Sequence, residues 1–160
     1  MTTTATDVAD GPTIRQAVRA DLLAVFQIEQ SAFPQPWPYT AFEQFLDEPG
    51  FLVAETTADT HAKSGIVGYI VADAIPNHGT PLGHIKDLAV HPDFRGEGIG
   101  KRLLRRGLGV LDAHGAGSVK LEVRDGNDVA RELYEQFGFT HHRTVPNYYD
   151  NGEDALVLFR

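Results

Sequence analysis

The sequence contains no cysteine among its 160 residues. Disulfide bonds, thiolate metal sites and a covalent cysteine nucleophile are therefore excluded. The sequence also lacks a basic segment followed by an apolar run near its first residues, and it has no apolar stretch of about 20 residues that would span a membrane. A chain of this length can bury a full core, so we expect one domain. The absences just named favour a protein of the cytoplasm without membrane association.

Positive charge is scarce as well. Four lysines and ten arginines are outnumbered by thirteen aspartates and nine glutamates, which gives a net charge of −8. This balance argues against a general nucleic-acid surface, so no nucleic-acid partner is expected. The composition leaves several explanations of the acidity open: a salt-rich cytoplasm, biased codon usage, attraction of a cationic amine substrate, or simply a solvated acidic face.

The most informative segment, residues 84–104, reads as strand, tight loop and helix. Ile85, Leu88 and Val90 favour a partly buried strand, and Pro92 ends it because proline has no N–H for a β-ladder. The apolar positions that follow recur at helical spacing and are 99, 103, 104, 108 and 111. The loop between strand and helix consists of Arg95, Gly96, Glu97, Gly98, Ile99 and Gly100.

The three glycines of this loop suit it to anion binding. Glycine lets the backbone approach a ligand closely, and the free N–H groups at a helix start attract negative charge. The spacing GxGxG differs from the dinucleotide motif GxGxxG, and the phosphate loop GxxxxGK[ST] does not occur here. Taken alone, the loop leaves open that it is an ordinary turn before a helix.

Apolar periodicity predicts one α/β domain over residues 13–160, preceded by a disordered tail at residues 1–12. The expected strands lie near 13–17, 51–55, 65–72, 84–90, 118–123, 139–145 and 155–159, and the expected helices near 21–28, 40–47, 99–114 and 127–137. The strands on either side of the third helix should be parallel. The predicted fold is a mixed, mostly antiparallel sheet of about seven strands with helices on both faces.

An aromatic segment separates the first two predicted helices. Three prolines at positions 34, 36 and 38 preclude a helix there and force an extended path. Phe33 and Trp37 bring large flat side chains to this loop. They either wall a substrate groove or fill the edge of the core.

The second half of the sequence resembles the GNAT acetyltransferases. The residues that carry the resemblance, together with the glycine loop, are Leu121, Glu122, Val123, Arg124, Asn127, Ala130, Leu133, Tyr134, Glu135, Gly138 and Phe139. The aromatic loop and the closing segment around Asn147, Tyr148, Tyr149 and Gly152 are similar to the branch that acetylates protein N-termini. That branch comprises ribosomal-protein-alanine acetyltransferases and their archaeal relatives, and its members use acetyl-coenzyme A.

This resemblance implies roles for three side chains. Glu122, on a strand predicted to be apolar on both faces, would act as general base through water, although an ion pair with Arg124 on the same face is the structural alternative. Tyr134 would protonate the departing sulfur, or simply fill the core. His84 would serve as a second base or relay, or as a structural hydrogen-bonding group.

The resemblance also implies binding residues. Backbone groups of Leu88, Ala89 and Val90 would meet the pantetheine arm, the glycine loop from Arg95 to Gly100 would hold the pyrophosphate, and Asn127 would reach the cofactor from the opposite side. The acceptor would be bound by Phe33, Trp37, Tyr148 and Tyr149, although the two tyrosines could be exposed hairpin aromatics. No metal is expected, because His91, His141 and His142 are predicted on loops or strand edges without supporting carboxylates.

Three functions therefore compete. The favoured one is an enzyme that transfers acetyl groups to the N-termini of proteins or peptides, ribosomal proteins included, as a monomer or homodimer. The second keeps the fold but acetylates a small amine such as a polyamine. The third is a catalytically silent acyl-coenzyme A binding module, against which the presence of Glu122 and Tyr134 argues.

Overall fold

The computed structural model describes residues 11–57 and 65–160. Its strands are β1 (Thr13–Gln16), β2 (Phe51–Glu55), β3 (Ile66–Ile75), β4 (Leu82–Val90), β5 (Ser118–Arg124), β6 (Thr140–Val145) and β7 (Ala155–Phe159). Its α-helices are α1 (Leu22–Ala32), α2 (Tyr39–Gln44), α3 (Ile99–Ala113) and α4 (Asp128–Gln136), with short 3₁₀ turns at Arg19–Asp21 and Pro92–Phe94. The predicted tail lies almost wholly outside the described residues, as does most of the loop that joins β2 to β3.

The strands form one sheet in the order β1-β2-β3-β4-β5-β7-β6. Every neighbouring pair is antiparallel except β4 and β5, which are parallel and are connected through α3. This arrangement confirms the predicted mixed sheet, including the parallel pair.

Two hydrophobic clusters cover the two faces of the sheet, because successive residues of a strand point to opposite sides. On β2, Leu52 and Ala54 belong to the cluster beneath α3 and α4, whereas Phe51 and Val53 belong to the cluster beneath α1 and α2. The apolar stripe predicted on α3 is buried throughout, from Ile99 to Leu111. Helices on both faces are thus confirmed.

Helix α3 lies close to the sheet at Gly107. A Cβ at this position would come 2.8 Å from Cδ1 of Ile70 on β3, so the absence of a side chain permits the close approach. The two glycines at 107 and 109 do not interrupt the helix. The lower helix propensity of glycine is therefore offset by packing at position 107.

Two irregularities open the sheet near its centre. The β4–β5 pairing runs only from Leu82↔Ser118 to Ile85↔Leu121, after which β5 continues beside β7 and β4 continues beside β3. In addition, β4 contains a bulge opposite β3, because Ile85 and Asp87 pair with consecutive residues of β3 and Lys86 is the extra one. β4 and β5 therefore separate at the bulge.

Candidate active site

Three adjoining cavities lie at the gap between β4 and β5. A central cavity of about 140 Å³ lies at the point of separation. It shares Phe33, Leu88, Asn127, Ala130 and Tyr134 with a larger groove of about 690 Å³, here called the glycine-loop groove. It shares Trp37, Lys86, Glu122 and Tyr149 with a third cavity of about 330 Å³, here called the aromatic groove. Each groove thus shares part of its wall with the central cavity.

The glycine-loop groove presents an open backbone surface at the start of α3. Gly96 and Gly98 have φ angles of 82° and 80°, and a Cβ at either position would meet no atom within 4 Å. Such a cradle at the N-terminus of a 15-residue helix fits a phosphate group. The predicted cofactor residues that line the groove are Leu88, Ala89, Val90, Arg95, Gly96, Gly98, Ile99, Gly100 and Asn127, whereas Glu97 is exposed and does not line it.

Asn127 stands at the junction of the central cavity and this groove. Its Oδ1 accepts the N–H of Ala130 at 3.2 Å and thereby caps α4. Its contact with the cofactor stays a prediction.

Glu122 forms a tight pair with His84 across the parallel strands. Nε2 of His84 lies 2.8 Å from Oε1 of Glu122, and Nζ of Lys120 lies 3.4 Å from Oε2. The bond from His84 lowers the pKa of Glu122, with Lys120 adding to the effect against the opposing cost of burial. Glu122 lines both the central cavity and the aromatic groove, while His84 lines only the latter of the two.

Two expectations about this strand were wrong. β5 is not apolar on both faces: Val119, Leu121 and Val123 are buried, whereas the residues between them are partly exposed. Arg124 does not pair with Glu122 but with Glu153, at 3.0 Å. The structural ion pair proposed as the alternative role of Glu122 is therefore absent, and its charge is instead met by His84 and Lys120.

Tyr134 lies at the boundary between the core and the cavities. Its ring packs edge-on against Phe139 at a centroid distance of 5.8 Å, and its residue is 8% exposed. Burial raises the pKa of Tyr134. The hydroxyl consequently keeps its proton at neutral pH.

Aromatic side chains from two loops wall the aromatic groove. Trp37 stacks on Phe45 at 5.7 Å and also lines the central cavity, so it fills the core edge and shapes the groove at once. Tyr149 lies under the guanidinium of Arg124 at 3.8 Å, and burial raises its pKa to about 12. Tyr148 also lines this groove but remains 51% exposed.

An acidic pair at the central cavity, with one side chain buried and the other half-buried, was missed by the sequence-based prediction. Glu29 and Asp87 both line the cavity, and both are in hydrogen-bonding distance of the Tyr69 hydroxyl. A signal for Glu29 was present, because it falls on the same helical face as Leu22 and Val25. Asp87 gave no such signal, because the bulge in β4 determines on which face of the sheet its side chain lies.

Neither a metal site nor a membrane-spanning segment was predicted from the sequence. Among the residues that the structure describes, no group of three or more histidine, aspartate or glutamate side chains is placed to hold a metal ion. In the same two ranges of the chain, no helix is long and apolar enough to cross a membrane. His141 and His142 are exposed on β6, at the edge of the sheet, as expected.

The sequence profile of the Acetyltransferase (GNAT) family matches residues 22–139. The chain belongs to this family. The GNAT acetyltransferase is 34% identical over 157 residues to an N-alpha-acetyltransferase of Sulfolobus acidocaldarius, covering 91% of this chain and 89% of that one. It is 33% identical over 141 residues to the ribosomal protein bS18-alanine N-acetyltransferase of Salmonella typhimurium, covering 86% and 89%.

A solved structure agrees with these sequence relatives. The crystal structure of the ribosomal-protein-S18-alanine N-acetyltransferase from Escherichia coli superimposes on the GNAT acetyltransferase with a TM-score of 0.75 and 29% identity, covering 92% of this chain and 91% of that one. The predicted resemblance and the predicted class of enzyme, an N-acetyltransferase, are thereby confirmed.

Proposed function

We propose that this enzyme transfers the acetyl group of acetyl-coenzyme A to the α-amino group at the N-terminus of a protein or peptide. One observation carries the proposal: two separate grooves meet at a single small cavity lined by Glu122 and Tyr134. One groove suits a phosphate-bearing donor and the other suits a peptide. The relatives that act on N-terminal amines support this choice of acceptor.

On the donor side, the chain supplies backbone groups and a helix start. Residues 95–100 would hold the pyrophosphate of the coenzyme, and the edge of β4 at Leu88, Ala89 and Val90 would meet its pantetheine arm. The bound coenzyme supplies an acetyl group activated as a thioester. The N–H of Leu88 now donates to its neighbour Asp87 at 3.0 Å, so it must turn from that carboxyl to meet a ligand.

On the acceptor side, the chain must remove a proton from an amine. An α-amino group has a pKa of about 7.7–8.0, against about 10.4 for a lysine side chain, so a weak base is sufficient. The pKa of Glu122 is lowered by His84, so its carboxylate is charged throughout the neutral range. Glu122 takes the proton through water, with His84 placed at 2.8 Å to pass it on.

Tyr134 performs the opposite transfer. Its buried hydroxyl lines both the central cavity and the glycine-loop groove, and its raised pKa keeps it protonated. It gives a proton to the sulfur that leaves. The two roles need two groups of opposite protonation state side by side, which the environments of Glu122 and Tyr134 provide.

Hydrogen bonds between two loops favour the free terminus of an acceptor peptide over an internal segment. Arg124 bonds to Glu153 at 3.0 Å and to Gln35 at 3.4 Å, and Gln35 accepts the N–H of Asp150 at 3.1 Å. The loop before α2 and the loop between β6 and β7 are therefore tied together beside the central cavity, which Gln35 and Arg124 line. A free terminus can insert beneath this tie, whereas a continuous main chain would have to pass through it.

The test uses the purified protein, acetyl-coenzyme A and several acceptors, with release of free thiol as the readout. Peptides that begin with Ala, Ser, Met or Glu are compared with N-blocked lysine peptides and with spermidine. We expect transfer to free peptide termini only. Transfer to spermidine or lysine alone would replace the proposed acceptor, and cofactor binding without any transfer would indicate the silent binding module.

A further inference from the structure

The acidic group beside the central cavity has no part in the proton transfers described above. Resting on the proposed function, we propose that Glu29 is a positioning residue. Through Trp37 it holds the loop of residues 33–38, here called the acceptor wall, and Asp87 supports it as a protonated partner. The function concerned is recognition of the peptide, not the chemical step.

The contacts of Glu29 place it at the base of the wall. The residue is 2% exposed. Its Oε2 accepts the N–H of Trp37 at 2.8 Å, and its Oε1 accepts the hydroxyl of Tyr69, which is itself fully buried. Both oxygens therefore have a donor, as the two oxygens of a carboxylate can.

The loop that carries Trp37 has few backbone N–H groups by which it can be held. Its prolines at 34, 36 and 38 have no N–H to donate. Two N–H groups of the segment bond to one residue: that of Phe33 to the backbone oxygen of Glu29 at 3.1 Å, and that of Trp37 to its side chain. Glu29 thus spans the loop, and the Trp37 ring lines both the central cavity and the aromatic groove.

Proton counting assigns a proton to Asp87. The Tyr69 hydroxyl has one proton, which it gives to Glu29, while Asp87 Oδ2 lies 3.2 Å from the same hydroxyl oxygen. Two charged carboxylates around one neutral phenol would repel each other where little water can separate them. Desolvation, followed by the hydrogen bond with Glu29 and its charge, raises the pKa of Asp87 well above its ordinary range.

The proposal predicts how the pair responds to pH. Asp87 shares its surroundings with titratable or charged groups from every neighbouring element, namely Glu29, Tyr69, Lys86, Glu122, Arg124, Tyr134 and Tyr149. When Asp87 loses its proton, its charge repels Glu29 and loosens the bond to Trp37. The Michaelis constant for the peptide then rises while kcat is preserved, because the catalytic groups are not moved.

The experiment compares Glu29→Gln with Asp87→Asn. An amide at position 29 removes the charge of the acceptor and leaves one oxygen for two donors, so the bond to Trp37 is weakened, and we expect KM for the peptide to rise by about tenfold with kcat nearly unchanged. An amide at position 87 mimics a protonated carboxyl, so Asp87→Asn should behave as the wild type near pH 7. Glu43→Gln is the matched control, because Glu43 bonds to Arg19 on the surface.

A second readout needs no activity. Trp37 is the only tryptophan in the chain, so acrylamide quenching of its emission reports the state of the wall. We expect stronger quenching in Glu29→Gln, and in the wild type an increase as the pH rises through the raised pKa of Asp87 that is missing in Asp87→Asn.

The outcomes separate the two proposals. Unchanged KM and unchanged quenching in Glu29→Gln would overturn the positioning role, and an Asp87→Asn variant as impaired as Glu29→Gln would overturn the protonated partner. If the wild type fails to acetylate any peptide, the proposed function fails but quenching still decides this inference. If Glu29→Gln does not fold, the pH dependence of quenching in the wild type against Asp87→Asn decides it.

Discussion

Replacing Glu122 by Gln tests the proposed base directly. The amide keeps the volume of the side chain and a hydrogen bond to His84, which lies 2.8 Å away, so the fold should survive. A positioned general base contributes about 10²–10⁴-fold to a rate. We therefore expect kcat to fall by at least about 100-fold, which corresponds to about 2.7 kcal/mol in the activation barrier.

The pH dependence of the rate gives a second test of Glu122 as the base. Because His84 lowers the pKa of Glu122, the wild type should show no titration of this base above about pH 4.5, and its rate should follow the acceptor amine, with a pKa of about 7.7–8.0. The deficit of Glu122→Gln should be largest below about pH 7, where most of the amine is still protonated.

The measurement is thiol release at saturating peptide over a range of pH, with coenzyme A affinity determined by calorimetry. Glu122 does not line the glycine-loop groove, so the affinity should stay within about twofold of the wild type. A folded variant whose kcat stays within about threefold of the wild type at every pH would refute the assignment of the base.

Four further substitutions test other parts of the description. Tyr134→Phe removes the proposed proton donor and should slow acetyl transfer on the order of 10²-fold in single-turnover kinetics; an unchanged rate would exclude this role. Gly98→Val fills the cradle and strains a φ of 80°, so calorimetry should show at least about 100-fold weaker coenzyme A binding, and unchanged affinity would contradict the loop assignment. Burial opposes the ionisation of Asp21, but bonds from Arg15 and from a backbone N–H outweigh it and lower the pKa of Asp21, so its contribution is present above about pH 4 and is lost as the pH falls through that pKa. Asp21→Asn should accordingly lose about 1–2 kcal/mol in urea unfolding at pH 7 and less at pH 3, and an equal loss at both would contradict the ion pair. Gly50→Ala would put a Cβ 2.1 Å from a backbone oxygen of β3 and should cost about 1–3 kcal/mol in the same assay, whereas wild-type stability would show that the backbone at this point can shift.

Local patterns predicted those parts of the molecule that depend on neighbours in sequence. The buried stripe of α3 follows from its apolar spacing, and the cap at Asn127 follows from one side chain and the helix start. The alternation of β5 was also visible in the sequence, with polar Lys120, Glu122 and Arg124 between apolar residues, but the expectation of an apolar strand on both faces overrode it.

Other features depend on contacts between distant segments. The partners of Arg124 are Glu153 and Gln35, and no periodicity relates residue 35 to residue 124. The direction of Asp87 depends on the bulge, which shifts the alternation of β4 by one residue. Under strict alternation Lys86 and Asp87 would face opposite sides, yet Lys86 lies over Phe45 and Asp87 beside Tyr69, both in the cluster beneath α1 and α2.

The short parallel contact between β4 and β5 has a consequence for the order of folding. β2, β3 and β4 are joined by antiparallel pairs between successive strands, and β6 and β7 form a second local hairpin, whereas Leu82 and Ser118 must find each other across a long stretch of chain. Loop closure delays contacts of this kind, so we expect the two halves to form first and to dock last. In a refolding experiment the recovery of acetyl transfer would then lag behind the recovery of β-structure, and activity would report the docking of the halves.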